Sequence, residues 1–203
     1  MPTLFKFRDL ASTLGGAGQL LLSTRNGRTT TVTTTTAVAS GTDIQVTATQ
    51  GGQALTWFTE PITEAVTISG TVTVRISGRE SASTVNAGAG ILIERCDNSG
   101  AVLSTIVANL TVPATITEWA TATGTRTGTY TPTSTSMAVG ERIKATIKVR
   151  NVGTMGAGLV LVIYNDPSAS SLFCDINFTE NIRTDEVIDV QQPEIYGSNG
   201  YRV

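Results

Sequence analysis

Histidine is absent from all 203 residues. Without an imidazole there is no Ser-His-Asp triad, no Cys-His dyad and no histidine metal ligand. Cysteine is nearly as scarce, and Cys96 and Cys174 are too few for a disulfide framework. Cys174 shares its phase with Leu172, Ile176 and Phe178. Both thiols are expected to be reduced, as packing or surface groups, with a Cys96 to Cys174 bridge as the lesser alternative. Charged residues make up 15% of the chain and the net charge is -2, so no basic field exists to hold a phosphate backbone and nucleic acid is not expected as a partner. No apolar run approaches the roughly 20 residues that cross a bilayer. The start Met1-Pro-Thr-Leu-Phe-Lys-Phe-Arg-Asp lacks the apolar centre of a signal peptide. The expectation is a chain made in a cytoplasm, without a membrane partner.

Other chemistries fail on spacing. Gly15-Gly-Ala-Gly18 lacks the Lys-Ser/Thr of a phosphate loop, and Gly88-Ala-Gly90 lacks the third glycine and the strand-turn-helix context, so both read as joints. A glycosidase needs two carboxylates across a cleft. Glu60, Glu64, Glu80, Glu94 and Glu118 are the candidates, and nothing in their spacing brings two together. Asp97-Asn-Ser-Gly and Asn165-Asp-Pro-Ser could offer oxygen ligands to calcium, but neither follows the EF-hand pattern and turns explain them better. No catalytic residue, metal or cofactor is expected. Trp57, Trp119, Tyr130 and Tyr164 could form a sugar-stacking platform; rings that fill the core are the plainer reading.

What the chain has in abundance is threonine, with valine and isoleucine, a β-branched excess suited to pleated surfaces. In Thr67–Ser77, Ile68, Val72, Val74 and Ile76 alternate with Thr71, Thr73 and Arg75, which predicts a half-buried strand. Glu141–Arg150 repeats the pattern, with Ile143, Ala145, Ile147 and Val149 inward and Arg142, Lys144, Thr146, Lys148 and Arg150 outward. Asp97–Gly100 predicts a hairpin turn between Ile91–Cys96 and Ala101–Val112. The repeat Thr121, Thr123, Thr125, Thr127, Thr129, Thr131 has strand period with few apolar groups and predicts an edge strand or polar loop. Gly78–Gly90 reads as a loop or bulged crossover. Gly158–Tyr164, apolar in both phases, reads as a central strand or one facing a partner.

Eight to ten strands of this kind predict an all-β fold, a two-sheet antiparallel sandwich of jelly-roll type. The expected organisation is an N-terminal arm or first strand over 1–22, one sandwich over 23–182 and a C-terminal tail over 183–203. Leu4, Phe5, Phe7 and Leu10 at one end, and Ile195, Tyr196 and Tyr201 at the other, are candidate interface residues.

The phrases Ala54-Leu-Thr-Trp-Phe-Thr-Glu-Pro-Ile-Thr-Glu-Ala-Val-Thr-Ile-Ser-Gly-Thr-Val72, Ala89-Gly-Ile-Leu-Ile-Glu-Arg, Met137-Ala-Val-Gly-Glu-Arg-Ile-Lys and Phe178-Thr-Glu-Asn-Ile182 resemble those of the jelly-roll virion proteins of tailed bacteriophages. The resemblance covers residues 54–182. Related phrases also occur in carbohydrate-binding and peptidase-associated sandwiches. The resemblance implies a non-enzymatic virion structural protein, foremost a capsid decoration (cement) protein binding over joints between major capsid subunits. The expected partners are the major capsid protein or other virion proteins, together with copies of this chain, a trimer being one arrangement. A tail, neck or fibre component and a carbohydrate-binding host-contact module stand as alternatives.

Overall fold

Where β-branched residues alternate, the chain forms strands. The structure, a computed structural model, describes residues 1–17, 19–24, 30–33, 45–47, 49–50, 53–54, 56–84, 87–112, 119–151, 161–165 and 174–185. These hold sixteen strand segments and no helix. In the N-terminal half they are β1 (Thr3–Ala11), β2 (Gln19–Ser23), β3 (Thr30–Thr33), β4 (Gln45–Thr47), β5 (Thr49–Gln50), β6 (Gln53–Ala54), β7 (Thr56–Phe58), β8 (Val66–Ile68), β9 (Val72–Glu80) and β10 (Ala87–Cys96). Then come β11 (Val102–Val112), β12 (Gly124–Tyr130), β13 (Thr135–Met137), β14 (Arg142–Asn151), β15 (Leu161–Asn165) and β16 (Asp175–Phe178).

Twelve of these form one sheet in the order β11-β10-β14-β7-β2-β1-β16-β9-β15-β3, with β12 also on β9 and β4 also on β14. Two small ladders, β13-β8 and β5-β6, complete it. The sheet curls so that β11 comes across to β9 and β12. Inside the curl lies one continuous apolar cluster that includes Phe5, Phe7, Val74, Ile76, Ile91, Ile93, Ile143, Ile147 and Phe178. The all-β, sandwich-like architecture is therefore the expected one. It differs from the expected antiparallel two-sheet sandwich in two respects: its layers belong to one hydrogen-bonded sheet, and β2 pairs with β7 in parallel, Leu20 beside Trp57. A parallel pair needs a long crossover between its strands. Residues 24–55 provide it.

The N-terminal stretch is a strand and not an arm. β1 lies between β2 and β16, with Thr3 opposite Phe178 and Phe7 opposite Leu22. Phe5 packs edge-on against Phe178 with ring centroids 6.0 Å apart, and Phe7 against Trp57 at 5.0 Å. The Trp57 indole N–H donates to the Arg8 carbonyl at 3.1 Å. Trp57 is thus a core plug, as expected, and it ties β7 to β1.

The predicted strand Thr67–Ser77 keeps its phase but is cut in two. Ile68, Val72, Val74 and Ile76 are all wholly buried. Between β8 and β9, the Glu180 carboxylate accepts hydrogen bonds from the amides of Ser69 (2.9 Å) and Gly70 (2.6 Å), which turns the chain from the small ladder into the large sheet. A Cβ on Gly70 would strike the Thr179 side chain.

The expected loop Gly78–Gly90 is largely strand. β9 runs to Glu80, and β10 starts at Ala87 because its small residues fit between β11 and β14. The Asp97–Gly100 turn is as predicted: Asp97 Oδ1 accepts from Ser99 N, Ser99 Oγ and Ala101 N, and Gly100 takes φ +87°, where a side chain is strained. β12 pairs with β9 alone, so the threonine repeat is an edge strand among the described residues. β15 is hydrogen-bonded on both sides, to β9 and β3. Residues 186–203, the greater part of the expected tail, lie outside the described residues.

Because β1 is an internal strand, deleting residues 1–11 should abolish folding, read as loss of soluble protein and of β-type circular dichroism. Phe7→Ala should fold but lose about 3–5 kcal/mol of unfolding free energy in urea denaturation.

Candidate interaction surfaces and buried ionic groups

At the start of β14 the alternation places Arg142 outward, yet it is buried. Three neighbouring segments cover it: the β1–β2 turn, the residues after β7, and the β10–β11 hairpin. Its Nε donates to the Asn98 carbonyl at 3.2 Å, and Nη1 to the Thr59 carbonyl at 2.9 Å. Nη1 also reaches Glu60 Oε2 at 3.4 Å, and Nη2 donates to Thr13 Oγ1 at 3.0 Å. The Thr13 hydroxyl in turn donates to Glu60 Oε2 at 2.7 Å. One guanidinium thereby fastens three loops to a strand end, as its planar fork of donors allows. Thr59 completes the joint, its hydroxyl accepting from Ile143 N at 3.0 Å.

The other carboxylates have similar occupations. Glu141 takes both arms of Arg95 and the Ala138 amide at 2.8 Å. The Arg95 guanidinium holds the Glu141 carboxyl below its usual range. Asp175 takes both arms of Arg75 across the β9–β16 ladder, and Glu94 pairs with Lys144 at 2.9 Å across β10–β14. Burial pushes the Glu180 carboxyl up, but the Ser69 and Gly70 amides outweigh it and the net shift is downward. Of the five carboxylates considered for glycoside cleavage, Glu60 and Glu94 sit in these buried joints and Glu64 in an exposed pair with Arg183. Glu80 is buried at the end of β9, and Glu118 lies outside the described residues. No group of three or more potential metal-ligating side chains occurs among the described residues.

The thiols are both unpaired and buried. Burial raises Cys96 to about 11 and Cys174 to about 12, so both are neutral at pH 7 and poor nucleophiles.

The candidate interface residues separate. Phe5 and Phe7 are wholly buried in the chain's own core and cannot serve a partner, because the large apolar groups that suggested an interface are those that hold β1 in the sheet. Leu4 is half-buried; Leu10 is in β1, its side chain outside the described residues, and Ile195, Tyr196 and Tyr201 lie outside them altogether. The Thr3 hydroxyl donates to the Glu180 carbonyl at 2.9 Å and accepts from Ile182 N at 2.8 Å. Beside this joint Leu4 and Asn181–Arg183 border a cleft of about 420 Å³, so residues near the two ends of the described chain share one surface.

The sugar platform does not form from the rings described. Trp57, Trp119 and Tyr130 are buried, Arg126 stacking over Trp119 at 5.3 Å, and the Tyr164 side chain lies outside the described residues. The sequence reading missed Val102, Leu103 and Val139, which are 47%, 49% and 64% exposed. The register Val102–Cys96–Arg142 across β11, β10 and β14 sets them at one end of the sheet. Their signal was local: two adjacent apolar residues directly after a turn, and a valine inside the Ala138–Gly140 turn.

No family model matches the chain, and no curated protein does. Among solved structures it is similar to a CocE/NonD family hydrolase from Staphylococcus aureus, at 8% identity and a TM-score of 0.51 over 88% of this chain and 36% of that one. It is also similar to an alpha-amino acid ester hydrolase, at 10% identity and a TM-score of 0.52 over 89% of this chain and 36% of that one. The chain thus spans about a third of the length of these hydrolases, and the likeness is one of fold. The class defined so far is an all-β, sandwich-like module with a curled mixed sheet.

Two outcomes test these joints. Glu60→Ala should destabilise the chain by about 3–5 kcal/mol, leaving a buried guanidinium unpaired, while Glu60→Met with Arg142→Met should cost less than the sum of the single changes in urea titrations. Both thiols should resist Ellman's reagent in the native protein at pH 8 and react together on unfolding. Their raised pKa values add stability that is complete below the ordinary thiol range and is lost as pH rises through about 9 to 12.

Proposed function

We propose that this chain is a non-enzymatic structural protein of a bacteriophage virion, a capsid decoration protein that binds over joints between major capsid subunits. The observation that carries the reading is the use made of buried charge. Arg142 with Glu60 ties turns to a strand end, Arg95 with Glu141 braces the turn before β14, and the Arg75–Asp175 and Lys144–Glu94 pairs lock neighbouring strands together, all favouring a rigid body. The exposed threonines Thr127 and Thr129 on the edge strand β12, with Thr121 and Thr123 just before it, present a row of surface hydroxyls. In this reading the surface around Leu4 and Asn181–Arg183 meets the capsid or a neighbouring copy.

A second reading is favoured by the fold likeness to a third of two hydrolases: an accessory sandwich joined to, or acting beside, a catalytic domain. Electron cryo-microscopy of phage particles released from cells that make the protein separates the two. Density repeated over the capsid lattice is the expected result; density confined to the tail or neck would move the protein to those parts, and absence from any particle would overturn the virion reading in favour of the accessory module.

A further inference from the structure

The curled sheet has an open seam. From β11 the ladder passes without interruption through β10, β14, β7, β2, β1, β16 and β9 to β12, and there it stops. β11 comes across to β12 without pairing with it. On the outer side of β11 no strand lies beside it among the described residues. A cleft of about 370 Å³ opens along this line. One wall is four consecutive residues of β11, Thr105–Ala108, and the other is the four residues Tyr130–Thr133 that leave β12. Walls made of consecutive residues present backbone as well as side chains. The volume lies at the small end of ligand clefts, about 300–1,000 Å³.

Edge strands are ordinarily guarded by charge, proline or brevity, because their free amides and carbonyls recruit other strands. β3, at the far end of the sheet, has only four residues, and β12 carries Arg126 and two glycines. β11 has eleven residues, Val-Leu-Ser-Thr-Ile-Val-Ala-Asn-Leu-Thr-Val, with neither charge nor proline. Its one irregularity is a set of register shifts against β10, which twist it without covering its free side. The cleft walls also carry no charged group, so a charged occupant would lose hydration with nothing to replace it.

We propose that this seam receives an extended, uncharged peptide segment of a neighbouring protein, which adds as a strand along Thr105–Ala108 and covers Tyr130–Thr133. Backbone hydrogen bonds to β11 supply the affinity, and the neutral walls select β-branched and small side chains. The proposal rests on the binding-module reading above and names the chemistry of the partner.

The test takes the full chain as bait for displayed random dodecapeptides, with recovered peptides titrated into isotopically labelled protein. The expected winners are free of charge and alternate apolar and hydroxyl residues. They should shift the amide signals of Thr105–Ala108, Thr131 and Thr133, and Thr105→Lys with Ala108→Lys should weaken them roughly tenfold or more, because a buried lysine charge in the seam loses hydration with nothing to replace it. Thr63→Lys, on an exposed turn elsewhere, should leave binding unchanged. If the β11 double variant does not fold, Thr133→Lys on the opposite wall makes the same test. No enriched peptide, charged winners, shifts elsewhere or indifference to the seam variants would overturn the proposal, as would binding of simple sugars but no peptide. Seam binding by a protein absent from every particle would overturn only the virion reading. A protein located on the capsid whose β11 amides exchange with solvent as fast as in the free chain would overturn only the seam.

Discussion

The parallel pairing of β2 with β7 is the contact on which the whole sheet depends. On one side of it lie β1, β16, β9 and their neighbours; on the other lie β14, β10 and β11. The ladder is only three residue pairs long, Gln19 to Leu21 against Thr56 to Phe58. So short a parallel ladder needs help. Phe7 stacks edge-on against Trp57, the indole donates to Arg8 across the joint, and Arg142 with Glu60 and Thr13 ties the adjoining turns. Breaking a desolvated pair of this kind leaves an uncompensated charge, so the joint opens as a unit.

The middle of the sheet and its seam are therefore different in kind. The β2–β7 joint is dense with aromatic packing and buried charge, whereas the β11–β12 seam has no ladder across it and its cleft is lined by uncharged residues. Rigidity on one side makes the geometry of the other predictable: a cleft held open by a stiff body loses less conformational freedom on binding than one formed by loops. That asymmetry sets a stiff joint in the middle of the sheet against an unladdered seam at its edge.

Much of this was legible in the residues. The alternation of Val72, Val74 and Ile76, and of Ile143, Ala145 and Ile147, gave the buried face, and Asp97–Gly100 gave its hairpin, because strand period and turn chemistry are local properties. Three features were not local. Phe5 and Phe7 left an arm and a first strand both open because nothing near them in sequence reveals that β16, some 170 residues away, is their neighbour. The break after Ile68 depends on Glu180, equally remote. Arg142 obeyed the outward phase and was buried nonetheless, since three loops from elsewhere in the chain converge on that strand end. The open margin at β11 had a readable sign, an eleven-residue strand without a charge, but its meaning depended on strand order.

The pairing of Thr3 with Phe178 also bears on how the protein comes into being. β1 finds one of its ladder partners only once residues some 170 positions further along have been made. Phe5 cannot meet Phe178 before then, and closure of so long a loop is slow. Until that ladder closes, Phe5 and β16 each lack a partner strand, and such unpaired apolar edges carry the hazard of premature association.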